Sequence, residues 1–595
     1  MSEFIITANI ALRTALHIGG NGGDEVSDDL LRRDTTGRVF LPGSAIAGPL
    51  RALATRLTPR LFGTICQALN GGNEICSCPV CRLFGAINPD EGGEQGGYAS
   101  QLWCDDAHPC GHLSIRDGVG IDRATGASAR QGAVKFDTEV LIPANEPFSL
   151  RLTLHSVADA EVQRRNEELL SLILHEWQAG RGTLGGKVGR GLGAFQLTQL
   201  EWYQRDLRDT TSLMSFLQRE DDDAQAGATQ LLDHQSPLLA RACAMPIIPA
   251  PAGDRTCDWS AYAVARSWTQ LDLTLAFEGP MLINDLVMAR RSGFDHAPLG
   301  RTSGAPDSWA LPGASLRGVL RSHAERIART LATGLSADLD EFRRRCPAGD
   351  PNNSRYPDRP LANSDCLLKE REQKPVDGKR TPPDDRTPPS DLDLGDRLFG
   401  SVRLGSRLLV EDGTLVGLPV FKALDFLAID RFTGGGRDSA KFDAMTLWKP
   451  TFRTRLRIEN PEVWELGWLL LTLRDLHAGL TGIGFGQSKG FGRVHIANWS
   501  LRIGYLDAAD CTALSIPHEL GTQDESPSDG IWRMISIAGA ESPDSTQVRS
   551  IAQAWINAFN THIVSFMRND TQGVPLQHVD TYFGQLEAIY PRAEG

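Results

Sequence analysis

Apolar and polar side chains alternate from Phe4 to Ile18, the period of a half-buried strand. The same alternation returns at Phe148–Leu154, Leu271–Phe277 and Phe452–Ile458. The second and fourth of these strands each lead into a stretch of helical period, roughly 158–178 and 461–478. Ser44 is placed to N-cap a helix running to about Leu57, with Pro49 distorting its first turn. Near the C-terminal end, Val548, Ile551, Trp555, Phe559, Ile563 and Phe566 form an apolar stripe at helical spacing, read as a helix packing on its own domain.

The predicted elements come in two sets, and short landmarks recur with them in the same order. Pro42-Gly43-Ser44 is answered by Pro312-Gly313-Ala314-Ser315, and Leu83-Phe84-Gly85 by Leu398-Phe399-Gly400. Ile121-Asp122-Arg123-Ala124-Thr125-Gly126 leads into Lys135-Phe136-Asp137; Ile429-Asp430-Arg431-Phe432-Thr433-Gly434 leads into Lys441-Phe442-Asp443. Each half closes on a glycine-rich segment, Gly185–Gly193 and Gly484–Gly492. The spacing between partners drifts between 270 and 315 residues but never changes order, as in a duplicated domain with loop insertions. We therefore expect repeat one at 1–203, a linker at 204–266, repeat two at 267–503 and a tail at 504–595. The Pro- and Asp-rich stretch 345–396 is expected to be a mobile insertion in repeat two.

Apolar residues make up 41% and charged residues 23% of the 595-residue chain, the composition of a soluble globular protein. No apolar run approaches the ~20 residues of a membrane span. The 11 cysteines are an odd, clustered set, which points to a reducing, cytoplasmic setting over a disulfide framework. The net charge of −13 is unlike a general nucleic-acid binder, so any basic footprint must be local.

Cys66, Cys76, Cys78 and Cys81 offer four thiolates within sixteen residues, a donor set suited to structural Zn²⁺. Cys104, His108, Cys110 and His112 make a weaker set, read as incidental, and repeat two has only Cys346 and Cys366 in the corresponding region. The glycine-rich closing segments allow close backbone approach and carry one cation each in register, Arg190 and Lys489. The Pro-Gly-Ser helix starts offer amides to a phosphate, with Arg51 and Arg321 further along each helix. Arg453, Arg455 and Arg457 give one strand a basic face, the usual solvated kind. The acidic loops after the first strand of each half could hold Mg²⁺ against a phosphate or be solvated turns.

Together these landmarks resemble the RAMP superfamily, in particular the backbone subunit of type III CRISPR effector complexes, here as two domains in tandem. The resemblance implies an α+β chain of two ferredoxin-like, RRM-type domains bearing β-hairpin thumbs. It implies binding of a CRISPR guide RNA, complementary single-stranded target RNA and neighbouring subunits. Arg123, Arg431 and Phe432 would lie on the thumbs, and Gly19, Gly20, Ser44, Lys187, Ser315 and Arg317 would join the cations named above in contacting RNA. Ala47 departs from the family, where a lysine is usual, whereas repeat two keeps Arg317. Target cleavage in the family uses a loop aspartate with Mg²⁺ or Mn²⁺. Asp295 matches that pattern in repeat two and Asp28 is its counterpart in repeat one, with Asp24 and Asp29 as rivals. A scaffold that holds RNA and partners without cleaving is the alternative.

Overall fold

In a computed structural model the described residues are 2–20, 22, 27–66, 75–86, 97–121, 135–144, 146–219, 225–251, 262–300, 309–336, 342, 346–349, 392–401, 404–516, 528–539 and 546–568. Repeat one comprises β1 (Ser2–Leu12), α1 (Gly43–Phe62), α2 (Pro79–Phe84), β2 (Leu102–Cys104), β3 (Gly111–Val119), β4 (Lys135–Pro143), β5 (Phe148–His155), α3 (Ala160–Gln178) and β6 (Phe195–Asp206). It is followed by α4 (Thr210–Leu217), β7 (Thr229–Leu231) and α5 (Gln235–Cys243). The main sheet is antiparallel in the order β2-β5-β1-β6-β7. β1 lies at its centre, with Ile6 opposite Leu152 on one side and Trp202 on the other. Phe4, Ile6, Ala8 and Ile10 point from β1 into a core closed by α1 and α3.

Repeat two repeats this order: β8 (Ser267–Phe277), β9 (Pro280–Met281), α6 (Leu286–Ser292), β10 (Ala310–Leu311), α7 (Gly313–Leu335), α8 (Leu394–Phe399), β11 (Leu408–Val410), β12 (Gly413–Leu415), β13 (Phe421–Ile429), β14 (Gly436–Trp448), β15 (Thr451–Glu459), α9 (Val463–His477) and β16 (Val494–Tyr505). The remaining elements are α10 (Ala508–Ala513), β17 (Ser528–Asp529), β18 (Trp532–Ala538) and α11 (Thr546–Arg568). β11 pairs with β15, β15 with β8, β8 with β16 and β16 with β18. That order matches β2-β5-β1-β6-β7 strand for strand. Each repeat also raises a separate antiparallel hairpin, β3–β4 and β13–β14.

Several expectations change. β1 stops at Leu12; Leu16 instead pairs with Leu141 at the base of the first hairpin. Ser44 does not cap α1. The cap position is Pro42, in extended conformation, and the first amide, that of Gly43, donates to Asp106 Oδ1 at 2.8 Å. α1 runs to Phe62 through both Pro49 and Pro59, because burial of Ile46, Leu50, Ala54, Leu57 and Leu61 offsets the lost helical bonds. Within the expected linker, 204–266, the described elements pack on repeat one: β7 extends its sheet, and Leu238 and Ala242 of α5 enter its core, while residues 220–224 and 252–261 lie outside the described ones. The tail's β18 extends the sheet of repeat two. In α11, Ile551, Trp555, Phe559 and Ile563 are buried in the core of repeat two, the packing expected of the stripe. Of the stretch 345–396, residues 345 and 350–391 lie outside the described ones, while Ala348, Leu392 and Leu394 are buried. Among the described residues no helix is long and apolar enough to cross a membrane.

The repeats are fastened to each other by buried charge. Arg60, at the end of α1, is fully buried and donates to Asp510 Oδ2 at 2.9 Å and Asp507 Oδ2 at 2.5 Å, both in repeat two. It also donates to the carbonyls of Ile248 and Ala265. Burial pushes the Asp510 carboxyl up to about 6, against the pull of Arg60. Removing one partner of such a network strands the other charge, at a cost of about 3–5 kcal/mol. Arg60→Ala should therefore lower the denaturant midpoint of unfolding strongly at pH 7. Because a raised carboxyl favours the folded state below its native value and loses that contribution as pH rises through it, the loss should be smaller at pH 5. Equal destabilisation at both pH values would show that Asp510 does not carry the effect.

Candidate functional site

The segments that follow β1 and β8 turn back under the roots of the two hairpins, and there a loop aspartate exchanges two hydrogen bonds with a hairpin aspartate in each repeat, with the same amide-to-carboxylate bond in both. In repeat one the Asp28 amide donates to the Asp137 carbonyl at 3.1 Å, and the Asp137 amide donates to Asp28 Oδ2 at 2.9 Å. In repeat two the Asp295 amide donates to Asp443 Oδ1 at 2.8 Å, and the Asp443 amide donates to Asp295 Oδ2 at 2.9 Å. Asp137 and Asp443 are the last residues of the two Lys-Phe-Asp segments, so each loop aspartate is strapped to the same point of its hairpin. One carboxylate oxygen is fixed by an amide while the side chain stays at the exposed surface. Asp29, the residue after Asp28, is committed elsewhere: its carboxylate is bonded to Lys187 Nζ, which holds it below the usual carboxylate range. Asp24 lies outside the described residues.

Cross-strand register adds two carboxylates that sequence reasoning missed. Asp117 sits opposite Asp137, and Asp425 opposite Asp443. Burial first, then the hydrogen bond with Asp137, pushes the Asp117 carboxyl up. The signal was in the spacing, because both aspartates lie a few residues before the Ile-Asp-Arg segments. Strand pairing was needed to bring them opposite the second aspartate.

The glycine-rich closing segments form 3₁₀ turns, Val188–Arg190 and Gln487–Lys489, each flanked on both sides by a residue in the left-handed region: Lys187 and Gly191 around the first, Gly486 and Gly490 around the second. Each turn sets its cation over the phenylalanine of Lys-Phe-Asp: Arg190 lies 5.4 Å from the Phe136 ring and Lys489 lies 4.6 Å from the Phe442 ring. Aspartate, hairpin root and cation thus form one unit in both repeats. The occupants beside it differ. Lys187, which bonds Asp29 and Thr138 Oγ1, has Gly486 as its counterpart. Asp29 has His296 as its counterpart, whose ring packs 4.9 Å from Phe485 and 5.7 Å from Phe442.

At the far end of the second hairpin, Asp430 Oδ1 accepts from the amides of Phe432 and Thr433, both at 2.9 Å, and these bonds hold its carboxyl below the usual range. The aspartate of Ile-Asp-Arg is therefore a turn-former. It leaves Phe432 99% exposed, with Ile429 at 66% and Arg431 also at the surface. At ~3.3 Å per residue this tip stands roughly 20 Å from Asp443. Arg123 lies outside the described residues.

Other expected RNA contacts are engaged within the protein. Arg51 donates to the Gly85 carbonyl at 3.1 Å, and Arg321 to the corresponding Gly400 carbonyl at 2.9 Å. Arg321 is buried and also bonded to Glu325 and Asp396, while Arg317 donates to the Phe399 carbonyl. These arginines tie each helix to Leu-Phe-Gly. The first amide of α7, Gly313, donates to Asp412 Oδ1 at 2.8 Å, as Gly43 does to Asp106. A carboxylate already occupies each helix start, so neither start offers the open anion site expected of Ser44 and Ser315. Gly19 and Gly20 run against Leu31 and Leu30, with the Gly20 amide donating to the Leu30 carbonyl at 2.8 Å.

The four cysteines do converge. Sγ atoms of Cys66, Cys76, Cys78 and Cys81 all lie within 4.8 Å of one another, beside the start of α2, where Cys78 is the N-cap. Burial and the neighbouring thiols push Cys81 up to about 12. A soft tetrahedral cation removes that cost, so the set can hold a metal such as zinc. Among the described residues this is the one group of three or more metal-ligating side chains close enough to share an ion. The weaker set around Cys104 does not converge, and each aspartate pair could contribute at most part of a magnesium shell, as is usual for an ion that keeps water and substrate phosphates.

Comparison with known proteins bears on the two repeats directly. The chain is 24% identical over 215 residues to the CRISPR system Cms endoribonuclease Csm3 of Methanocaldococcus jannaschii, covering 31% of this chain and 77% of that protein. It is 37% identical over 92 residues to the Csm3 of Methanothermobacter thermautotrophicus, covering 14% of this chain and 34% of that protein. A family model described as the RAMP superfamily matches residues 9–196 and 303–495, more than half of the chain and one stretch in each repeat. The chain belongs to the RAMP superfamily and carries its domain twice.

Proposed function

We propose that this protein is a backbone subunit of a type III CRISPR effector complex that binds guide RNA and cleaves complementary target RNA once per repeat. The observation that carries the reading is the exposed loop aspartate, Asp28 or Asp295, whose carboxylate accepts the same amide bond from the root of a hairpin in both repeats. The names of the two Csm3 relatives, each an endoribonuclease of a CRISPR system, support it. The antiparallel sheet order and the separate hairpin in each repeat support reading each repeat as a ferredoxin-like, RRM-type domain with a β-hairpin thumb.

In this reading the exposed tip at Arg431 and Phe432, and its counterpart around Arg123, wedge into the guide–target duplex and unstack a nucleotide. The unstacked ribose brings its 2′-hydroxyl in line with the adjacent phosphate. The aspartate takes the 2′-hydroxyl proton as the O2′–P bond forms and the P–O5′ bond breaks; the departing O5′ takes a proton from solvent, leaving a 2′,3′-cyclic phosphate and a 5′-hydroxyl. Asp28 and Asp295 would hold a divalent cation, Mg²⁺ or Mn²⁺, which when bound would supply neutralisation of developing charge. Arg190 and Lys489 face the RNA backbone from the glycine-rich turns, with Lys187 restrained by Asp29. The four cysteines hold structural zinc.

The assembled complex, incubated with complementary RNA and Mg²⁺, should give two cuts. Asp28→Ala should abolish one and Asp295→Ala the other, each by about 10²-fold or more, the usual worth of a positioned proton acceptor. If both variants cut like wild type, the aspartates are not the cleaving groups; if wild type leaves the RNA intact, the subunit is a scaffold. Purified protein should contain about one zinc per chain by elemental analysis, and Cys78→Ser should lose it and melt earlier. Wild type that carries no metal as purified would refute the zinc site.

A further inference from the structure

The two repeats meet through a joint whose halves recur at the two ends of the molecule. On the repeat-one side are the glycine-rich turn, Arg13 and Arg116; on the repeat-two side are Glu411, Asp412 and the start of α7. Gly191 is so close that a methyl group there would lie 2.7 Å from the Val410 carbonyl and 2.9 Å from Gly313 Cα. Arg13 pairs with Glu411 at 2.7 Å, and Arg116 forks onto Asp412 at 2.7 and 3.1 Å. Asp412 is 1% exposed, so this is a desolvated ion pair within a tight fit.

Repeat one carries its own copy of the receiving half, open to solvent. Asp105 and Asp106 follow β2 as Glu411 and Asp412 follow β11, each chain crossing held by an amide bond to the next strand (Asp105 to Arg151, Glu411 to Arg455). Asp106 binds the Gly43 amide as Asp412 binds that of Gly313. Both aspartates of repeat one are exposed, and among the described residues Asp105 is paired with Arg151 alone, at 3.2 Å. Repeat two in turn carries a copy of the inserting half, also open: a methyl group on Gly490, the counterpart of Gly191, would meet nothing within 4 Å. Its charges, however, are changed. The place of Arg13 is taken by Glu278, shown by the matching bonds Arg13 N to Ala194 O and Glu278 N to Arg493 O. The place of Arg116, opposite Thr138, is taken by Leu424, opposite Ala444. Arg493 lies beside Gly479, as Arg13 lies beside Gly180, but its charge is bonded to Glu278 at 2.9 Å.

We infer that the open face formed by Asp105, Asp106 and the start of α1 docks a separate protein subunit that presents two basic side chains flanking a glycine-rich turn, and that it excludes a second copy of this chain. The internal joint shows which charges fit that face. The chain's own free inserting half brings Glu278 toward Asp105 and no donor toward Asp106, so self-association leaves like charges facing and a carboxylate unpaired. Arrays of this domain would then be capped at a defined position, because a heterologous head-to-tail contact propagates only while each free face fits the next. The inference is independent of whether the chain cleaves RNA.

Light scattering of the full chain alone tests it, with a charge-converted chain standing in for the basic partner. Wild type should stay at the mass of one chain. Glu278→Arg should begin to self-associate, and Glu278→Arg with Leu424→Arg should do so at least tenfold more tightly, giving head-to-tail oligomers. Adding Asp105→Arg should return the converted chain to one-chain mass, with an unchanged circular dichroism spectrum showing that the domain remains folded. Self-association of wild type that Asp105→Arg abolishes would overturn the exclusion. A folded converted chain that stays monomeric would overturn the docking face.

Discussion

The carboxylate of Asp412 binds three things at once, and much of the molecule's arrangement depends on it. It accepts the first amide of α7, forks with Arg116 from the hairpin of repeat one, and lies against Gly191 of the glycine-rich turn. A carboxylate that is 1% exposed is tolerable only because every oxygen is bonded and a guanidinium neutralises it. Its position therefore sets where the first hairpin stands relative to the second repeat. Glycine at 191 and 313 follows from the same constraint, since a side chain at either would collide with the opposing backbone.

The candidate sites inherit their precision from strand pairing. Asp28 and Asp295 sit on irregular segments, yet each is held by two hydrogen bonds to one aspartate of a hairpin root that is itself in register with its partner strand. A loop side chain held in this way does not need a rigid loop. The two units share the aspartate, the second aspartate and the cation over phenylalanine. They differ in their surroundings, with the Lys187–Asp29 ion pair in one and His296 packed among aromatic rings in the other. Duplication preserved the geometry and let the local electrostatics diverge.

Much of this was legible in the residues. The duplication, the four-cysteine set, the glycine-rich turns and the helical stripe of Ile551, Trp555, Phe559 and Ile563 all stand in the sequence, because each depends on local spacing or on the period of one element. The charges were harder to read. Arg321 and Arg51 looked like phosphate ligands at helix starts, but pairing with Asp396 and with the carbonyls of Gly400 and Gly85 turned them inward. The segment 204–266 looked like a linker because its strand is three residues long; the edge of β6 gave it a partner that no local pattern announces.

What the sequence by itself determined was the order of elements, the existence of two repeats and the kind of chemistry each landmark can do. Those properties are carried by neighbouring residues, whose side-chain periods and turn preferences act over a few positions. Only the tertiary structure decided which carboxylate meets which amide, which arginines are spent inside the domain, and which face of each repeat is left open. Those outcomes turn on residues more than a hundred positions apart, such as Asp28 with Asp137 and Arg116 with Asp412, brought together by sheet register and by the packing of one repeat on the other.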